Sequence, residues 1–190
     1  MPKSEIKLSA NEKAFLELLI SDYPEFRFCL NQKRFSFRYA EPTYLKDSTR
    51  SITRTKNSAK STIFIGPSQP FFALQTLHEL GHAICEHKDY TTHVKRLKIE
   101  SEAWQTAKTV LKKYQNQAKA LLKDPKTATA GTNLMKILPE WDDNYMEDCL
   151  DSYRDWLHAK SKCKKCGQTR YQTKDGRYHC PFCDTFCSKK

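Results

Sequence analysis

Two histidines four residues apart are the first feature of this sequence that could do chemistry. His78, Glu79 and His82 stand in the order H-E-x-x-H. Residues four apart lie on one face of a helix, so both imidazoles can bind one zinc ion. The Glu beside the first His can act as general base toward a zinc-activated water, whose pKa falls to about 7. The spacing predicts a hydrolytic zinc site with Glu79 as its catalytic residue. The alternative is an amphipathic helix with two surface histidines.

A third ligand is expected downstream, because catalytic zinc usually has three protein ligands and an open fourth position. The candidates that follow are His87, His93, Glu100 and Glu102. The metzincin arrangement, with a third His six residues after the second, is excluded because Lys88 occupies that position. His87 is expected to lie on the wrong face of the same helix.

Glu100 is the first choice as third ligand. It lies on the apolar stripe of a helix predicted over residues 97–122, whereas Glu102 projects from a polar side. A carboxylate on an apolar face is costly unless it has a partner, and a zinc ion would be one. The alternative is that Glu100 caps the helix or forms a salt bridge near its start. The stripe contains Ala103, Ala107, Val110, Leu111 and Tyr114.

These two segments resemble the ImmA/IrrE family of metallopeptidases. Residues 78–83 read H-E-L-G-H-A and residues 99–107 read I-E-S-E-A-W-Q-T-A. The family joins an H-E-L-G-H helix to a downstream E-x-E-A-x-x-x-A helix. The resemblance covers residues 60–125, and it departs at Trp104, where many members carry Asn.

The resemblance implies an intracellular zinc peptidase. His78, His82 and Glu100 would be the zinc ligands, with Glu102 as second choice for the third, and Glu79 the catalytic base. Several members cut DNA-binding repressors, so the implied substrate is a repressor-like, DNA-binding or DNA-associated regulatory protein. The implied fold is a zincin-like core, a small sheet packed on helices.

Four cysteines near the end of the chain predict a second metal site. Cys163 and Cys166 form one C-x2-C pair, and Cys180 and Cys183 form another after thirteen intervening residues. Four thiolates make a closed, structural tetrahedral zinc site. Gly167 suits the turn after the first pair, because glycine adopts a positive φ without steric cost.

The stretch between the cysteine pairs predicts a zinc ribbon, a small β unit held by metal. Asp175-Gly176 is a hairpin signal between two β-prone runs. A segment this short builds too little core to fold without its metal. Cys187 and His179 are near enough to compete as ligands, but the paired spacing favours the other four cysteines.

The segment around the ribbon is also basic. Residues 160–190 hold nine Lys/Arg and two Asp, a net charge of +7 out of +11 for the chain. Lys and Arg release counterions from phosphates, and aromatic rings stack on bases, so contact with nucleic acid is a hypothesis. The alternative is a solvated appendage or a protein-docking module. The basic candidates are Lys164, Lys165, Arg170 and Arg177, and the aromatic ones Tyr171, Tyr178, Phe182 and Phe186.

The two-part layout also resembles the SprT-like proteins, which join H-E-x-x-H to a C-terminal zinc ribbon and degrade DNA-bound proteins. Their third ligand is a His followed by Gly, whereas His93 is followed by Val94. The peptidase core therefore favours ImmA/IrrE, with SprT-like biology as an alternative. A non-catalytic, zinc-containing nucleic-acid-binding or regulatory module is the alternative from another class.

The elements that position these residues predict an α+β protein with two domains, a zincin-like domain over 1–158 and the ribbon over 159–190. Two zinc ions per chain are expected, one catalytic and one structural. No run reaches the roughly 18 apolar residues of a membrane span, and the N-terminus lacks an apolar signal region. With cysteines grouped as metal ligands, these features favour an intracellular, cytoplasmic setting.

Several elements can be predicted individually. Ser9 and Glu12 form a capping box that starts a helix ending before Pro24. Residues 35–39 and 62–65 alternate as strands, and an edge of the second could pair with an extended substrate. Further predictions are a solvated hairpin or loop over 48–61, a loop over 124–133 and a helix over 140–157. Tyr90, His93, Tyr145, Tyr153 and His158 could each stabilise an oxyanion, and nothing selects one.

Overall fold

The computed structural model describes residues 7–41, 44–46, 52–54, 60–67, 69–88 and 92–187. This part of the chain is mixed α+β, with five helices and eight short strands, as predicted. Two compact units are present, one of Met1–His87 with Ala103–Trp141 and one of Lys88–Glu102 with Asp142–Lys190. These spatial groupings do not test whether residues 159–190 fold as a separate domain, so that boundary stays a prediction. None of the described helices combines the length and apolar character needed to cross a membrane.

Helix α1, Ala10–Asp22, begins at the predicted capping box. The Ser9 hydroxyl accepts a hydrogen bond from the Glu12 N–H at 3.3 Å, and the Glu12 carboxylate accepts one from the Ser9 N–H at 2.7 Å. These bonds satisfy two of the N–H groups that a helix start leaves without an intrahelical partner. The helix buries Phe15 and Leu19.

A three-stranded sheet precedes the helix that carries His78 and His82. Strands β1 (Arg27–Leu30), β2 (Ser36–Arg38) and β5 (Thr62–Ile65) stand in the order β1-β5-β2. β5 runs parallel to β1 and antiparallel to β2, so both of its edges are paired. The expectation that residues 62–65 offer a free edge to a substrate is therefore wrong. Strands β3 (Tyr44–Lys46) and β4 (Ile52–Arg54) form an antiparallel pair, and residues 48–51 and 55–59 of the predicted hairpin or loop lie outside the described residues.

Four more helices follow the sheet. They are α2 (Phe72–Ile84), α3 (His93–Leu122), α4 (Ala128–Ile137) and α5 (Asp143–Ser161). α3 begins four residues before the predicted start, because the Thr92 hydroxyl accepts a hydrogen bond from the Lys95 N–H and so caps an earlier turn. The whole predicted stripe of α3 is buried.

Helix α4 corrects the prediction of a loop over 124–133. Only residues 124–127 remain outside a helix. Gly131, read as a loop signal, instead lets α4 approach α3. A Cβ at this position would lie 2.9 Å from the Ala118 carbonyl oxygen of α3. Tertiary packing thus overrides the weak helix propensity of Gly and Thr.

The ribbon segment forms the predicted hairpin and one further strand. β6 (Tyr171–Gln172), β7 (Tyr178–Cys180) and β8 (Thr185–Cys187) make an antiparallel sheet in that order. Gly176, in the turn between β6 and β7, has a φ of 83°. In the same unit, α5 fully buries Leu150, and its other apolar residues are half-buried, namely Met146, Cys149, Tyr153, Trp156 and Leu157.

Candidate metal centres

A close approach of α2 and α3 builds the first centre. A Cβ at Gly81 would lie 2.3 Å from the Ala103 carbonyl oxygen and 2.9 Å from its carbonyl carbon. Real Cβ atoms do not come this close to backbone, so only glycine permits the contact. Leu77 and Leu80, beside the motif on α2, are fully buried. Glu100 stands one turn before Ala103 on α3, which carries it to the histidines.

His78, His82 and Glu100 come together. The potential ligand atoms of these three residues all lie within 4.8 Å of one another, and the two Nε2 atoms are 3.1 Å apart. Each residue is less than 9% exposed. Their burial excludes the reading of two surface histidines. Two imidazoles and one carboxylate converging in this way can hold a divalent metal ion.

The other two acidic residues have different surroundings. Glu79 is 8% exposed and directly follows His78 on α2. The side chain of Glu102 is 42% exposed and forms an ion pair with Lys98 at 3.5 Å. Among the described residues, the candidate metal cluster therefore includes Glu100 and leaves out Glu102, the second choice.

An aromatic wall packs against His78. The Trp104 ring lies 4.3 Å from the His78 ring between centroids, and it is 1% exposed. Trp141 contacts Trp104 edge-on at 6.1 Å. Trp104 is the position at which the sequence departs from the ImmA/IrrE pattern. Here it fills the space beside a metal ligand with an apolar ring.

His82 is held by two other side chains. Phe37 of β2 stacks on its ring at 6.2 Å, with the planes 8° apart. His87 was expected to lie on the wrong face of the same helix, but it contacts His82. It follows the end of α2, where Glu86 has a φ of 52°, and its Nδ1 lies 2.8 Å from Nδ1 of His82. A hydrogen bond between these nitrogens leaves Nε2 of His82 for a metal. The sequence signal for this contact was too weak to find, because it depends on where the helix ends.

Arg96 contacts both the Glu100 carboxylate and the Tyr153 ring. Arg96 Nε lies 3.9 Å from Glu100 Oε1, and its guanidinium stacks on the Tyr153 ring at 4.9 Å. Burial is the main reason that the pKa of Tyr153 rises to about 12, and the negative charge of the nearby Glu100 carboxylate raises it further. The alternative reading of Glu100, a salt bridge near the helix start, is thus also present. Among the candidates for oxyanion stabilisation, Tyr153 is engaged here, and Tyr90 lies outside the described residues.

The four ribbon cysteines form the second centre. All four sulfur atoms lie within 4.8 Å of one another, with Cys163 and Cys183 3.7 Å apart and Cys166 and Cys180 3.5 Å apart. These separations are far beyond the roughly 2.05 Å of a disulfide. Thiolates placed about 2.3 Å from a tetrahedral zinc ion stand about 3.8 Å apart. The arrangement therefore fits one tetrahedrally coordinated metal ion.

The backbone around the first cysteine pair favours metal binding. Gly167 has a φ of 76°, and its N–H donates to the Cys163 carbonyl at 2.9 Å, which closes the predicted turn. The backbone N–H groups of Cys166 and Lys165 hydrogen-bond the Cys163 sulfur and lower the pKa of this thiol to about 6. A thiolate is the form that binds a metal.

The four basic residues proposed for nucleic acid differ in their surroundings. Lys164 and Lys165 are exposed. Arg177 forms an ion pair with Asp175 at 2.6 Å. Arg170 is only 7% exposed, donates to the Lys160 carbonyl at 2.7 Å and stacks on a buried ring, so its charge serves the ribbon's interior.

The aromatic residues of the ribbon also divide into two groups. Tyr178 is buried, whereas Tyr171, Phe182 and Phe186 are each more than half exposed. His179 stacks on Phe186 with ring centroids 4.3 Å apart. The ribbon thus presents exposed rings of the kind on which bases can stack.

Comparison of the chain with protein-family models, with curated proteins and with solved structures found no match.

Proposed function

We propose that this protein is a zinc-dependent peptidase with a zincin-like core. The observation that carries the proposal is the convergence of His78, His82 and Glu100 within 4.8 Å inside the protein. Glu79 stands next to the first ligand on the same helix, where a general base is required. The resemblance of both helices to the ImmA/IrrE pattern supports the same function.

Each residue of the site has its own role in the proposed hydrolysis. His78, His82 and Glu100 would hold the zinc ion. When bound, zinc polarises the scissile carbonyl and makes a water molecule acidic enough to react at neutral pH. Glu79 accepts the proton of that water and then donates it to the leaving amine. Three protein ligands leave a fourth position for water and substrate.

The edge of β2 is the best place for an extended substrate. In the part of the chain that the structure describes, β2 pairs with β5 along one edge only. Phe37 in this strand stacks on His82, so β2 runs beside a metal ligand. A substrate strand could add to this edge by backbone hydrogen bonds. Resemblance to ImmA/IrrE makes a repressor-like, DNA-associated regulatory protein the proposed substrate.

Glu79→Gln tests the mechanism. The amide cannot accept a proton, so we expect hydrolysis of fluorescein-labelled casein to fall by about 10²–10⁴-fold. Zinc content should stay that of the parent, because Glu79 is not a ligand. Glu102→Gln is the matched control and should retain activity, since that side chain lies on the surface. A Glu79→Gln protein as active as the parent would remove Glu79 from the mechanism.

A second candidate function, nucleic-acid binding by the ribbon, is favoured by its exposed rings and by Lys164 and Lys165. Lys164→Gln/Lys165→Gln in the Glu79→Gln background should weaken binding of a labelled single-stranded oligonucleotide. The parent's affinity should fall as salt is added. Lys112→Gln, on the exposed side of α3, is the control. Binding that is insensitive to salt and to both lysines would leave the ribbon a structural or protein-docking module.

A further inference from the structure

Helix α2 ends in a way that brings His87 back toward His82. Glu86 has a φ of 52°, in the left-handed region. Its N–H donates to the Ala83 carbonyl at 3.2 Å, and the His87 N–H donates to the His82 carbonyl at 3.1 Å. A left-handed residue with these two bonds is the Schellman motif, in which the residue after the left-handed one often contacts the side chain five positions earlier. The backbone itself therefore places the His87 side chain beside His82.

The two nitrogens of the His82 ring face different neighbours. Nε2 lies 3.1 Å from Nε2 of His78, inside the candidate metal cluster. Nδ1 lies 2.8 Å from Nδ1 of His87, with the ring centroids 5.0 Å apart and the ring planes at 70°. His82 is 8% exposed, and Phe37 stacks on its ring. The imidazole is thus contacted at both nitrogens and on one face.

The chemistry of imidazole assigns the proton between the two rings. A neutral imidazole has one N–H and one nitrogen lone pair. When Nε2 of His82 gives its lone pair to a metal ion, the ring proton is on Nδ1. That N–H donates to Nδ1 of His87, which accepts and carries its own proton on Nε2. Metal-binding histidines almost always donate their second nitrogen to an acceptor, and loss of such an acceptor typically costs about 10–100-fold in metal affinity.

We propose that His87 is a positioning residue for His82, which holds the ring so that Nε2 points into the candidate metal cluster. The role rests on the metal site of the proposed function. Among the described residues the cluster itself comprises His78, His82 and Glu100, so His87 acts through His82. The pattern of the centre therefore extends over residues 78–87, from H-E-x-x-H to H-E-x-x-H-x4-H.

Two substitutions of His87 separate its hydrogen bond from its ring. His87→Phe keeps an aromatic ring and removes the acceptor, whereas His87→Asn removes the ring and offers an amide oxygen in place of Nδ1. Zinc affinity at the first centre would be measured in the full chain by competition with a chromogenic chelator, with the four-cysteine centre already filled with zinc. We expect His87→Phe to bind zinc about 10–100-fold more weakly than the parent. His87→Asn should recover most of that loss, which a purely packing role of the ring would not allow.

Two controls test the substitution and the backbone. His158→Phe makes the same change at an exposed histidine of α5 and should leave zinc affinity unchanged. Glu86→Gly keeps His87 and favours the positive φ that the motif requires, so it should also bind zinc like the parent. Hydrogen exchange in α2 should match the parent in every variant, because the helix does not depend on the His87 side chain.

The possible results distinguish His87 from the site that it serves. Parent-like affinity in His87→Phe would overturn the positioning role. An equal loss in His87→Asn or in His158→Phe would do so too, as would faster exchange of α2 in His87→Phe. His82→Ala is the reference for the centre itself. If it bound zinc like the parent, the proposed metal site would fail, which is a different result from failure of His87 alone.

Discussion

The two candidate metal centres are built in opposite ways. The candidate ligands of the first lie on helices α2 and α3, which meet at Gly81 and Ala103. Apolar neighbours such as Leu77 and Leu80 are fully buried there. The second takes four identical donors from turns and short strands. In the described part of residues 162–187, the buried residues are Cys163, Arg170, Tyr178 and Cys180, so two of the four are ligands themselves.

The first centre is supported by the packing of the core around it. At the second centre, a bound metal ion would hold the surrounding segment together. Packing of α2 against α3 supports the placement of His78, His82 and Glu100. The ribbon has little apolar interior, so we expect metal binding to supply much of its folding free energy. Three mixed ligands suit a reactive centre with an open position, and four thiolates suit a closed structural one.

The largest effect is expected from Cys180→Ser. Structural zinc contributes about 10–16 kcal/mol in small zinc domains, so loss of one buried thiolate should unfold the ribbon. Hydrogen exchange over residues 163–187 should become fast, while α2 stays protected. Cys149→Ser, a half-buried cysteine outside the cluster, is the control. If the ribbon of Cys180→Ser stayed protected from exchange, its folding would not depend on the four-cysteine centre, and the two centres would not differ in this respect.

Glu100→Ala should have the next largest effect, and it should be confined to the first centre. Elemental analysis should find about two zinc ions in the parent and about one in the variant, with the helical content unchanged. His93→Ala is the comparison, because the SprT-like alternative would make a histidine the third ligand. His93 lies against Trp156 and Tyr178, and we expect its variant to keep both ions.

If His93→Ala lost the catalytic zinc and Glu100→Ala kept it, the choice of third ligand would be reversed. About one zinc ion in both the parent and Glu100→Ala would mean that only the ribbon binds metal. The peptidase proposal would then give way to a binding module.

Gly81→Ala should have a smaller effect, which falls on the packing behind the first centre. The added methyl group would meet the Ala103 carbonyl at 2.3 Å and push α2 and α3 apart. We expect a loss of about 1–3 kcal/mol in urea unfolding, together with weaker zinc binding. Gly167→Ala provides the contrast, since a methyl group there has open space and only the positive φ opposes it. It should leave the first centre unaffected.

Much of both centres could be predicted because their ligands are set by local spacing. A four-residue separation on a helix brings His78 and His82 together, and a two-residue separation in a turn does the same for each cysteine pair. Glu100 was predictable for another reason, since a carboxylate on an apolar stripe needs a partner. The capping box at Ser9 is equally local, and α1 begins where it was predicted.

Three of the failures of prediction concern contacts between distant segments. Residues 62–65 were correctly predicted as a strand, but the sequence could not show that β1 and β2 pair with both edges. Gly131 was read as a loop signal because the sequence does not show that its helix packs against α3. Arg170 was predicted to be a surface charge, but its side chain is buried in the ribbon.

Residue type and spacing were sufficient to identify the residues of both candidate metal centres. Helical and turn geometry bring the two histidines and each cysteine pair together without help from the rest of the chain. Tertiary structure alone decided which side chains orient those ligands. His87 reaches His82 only because α2 ends where it does. Arg96 meets the Tyr153 ring only because α5 packs beside the start of α3, and a contact across more than fifty residues leaves no periodic signal in the sequence.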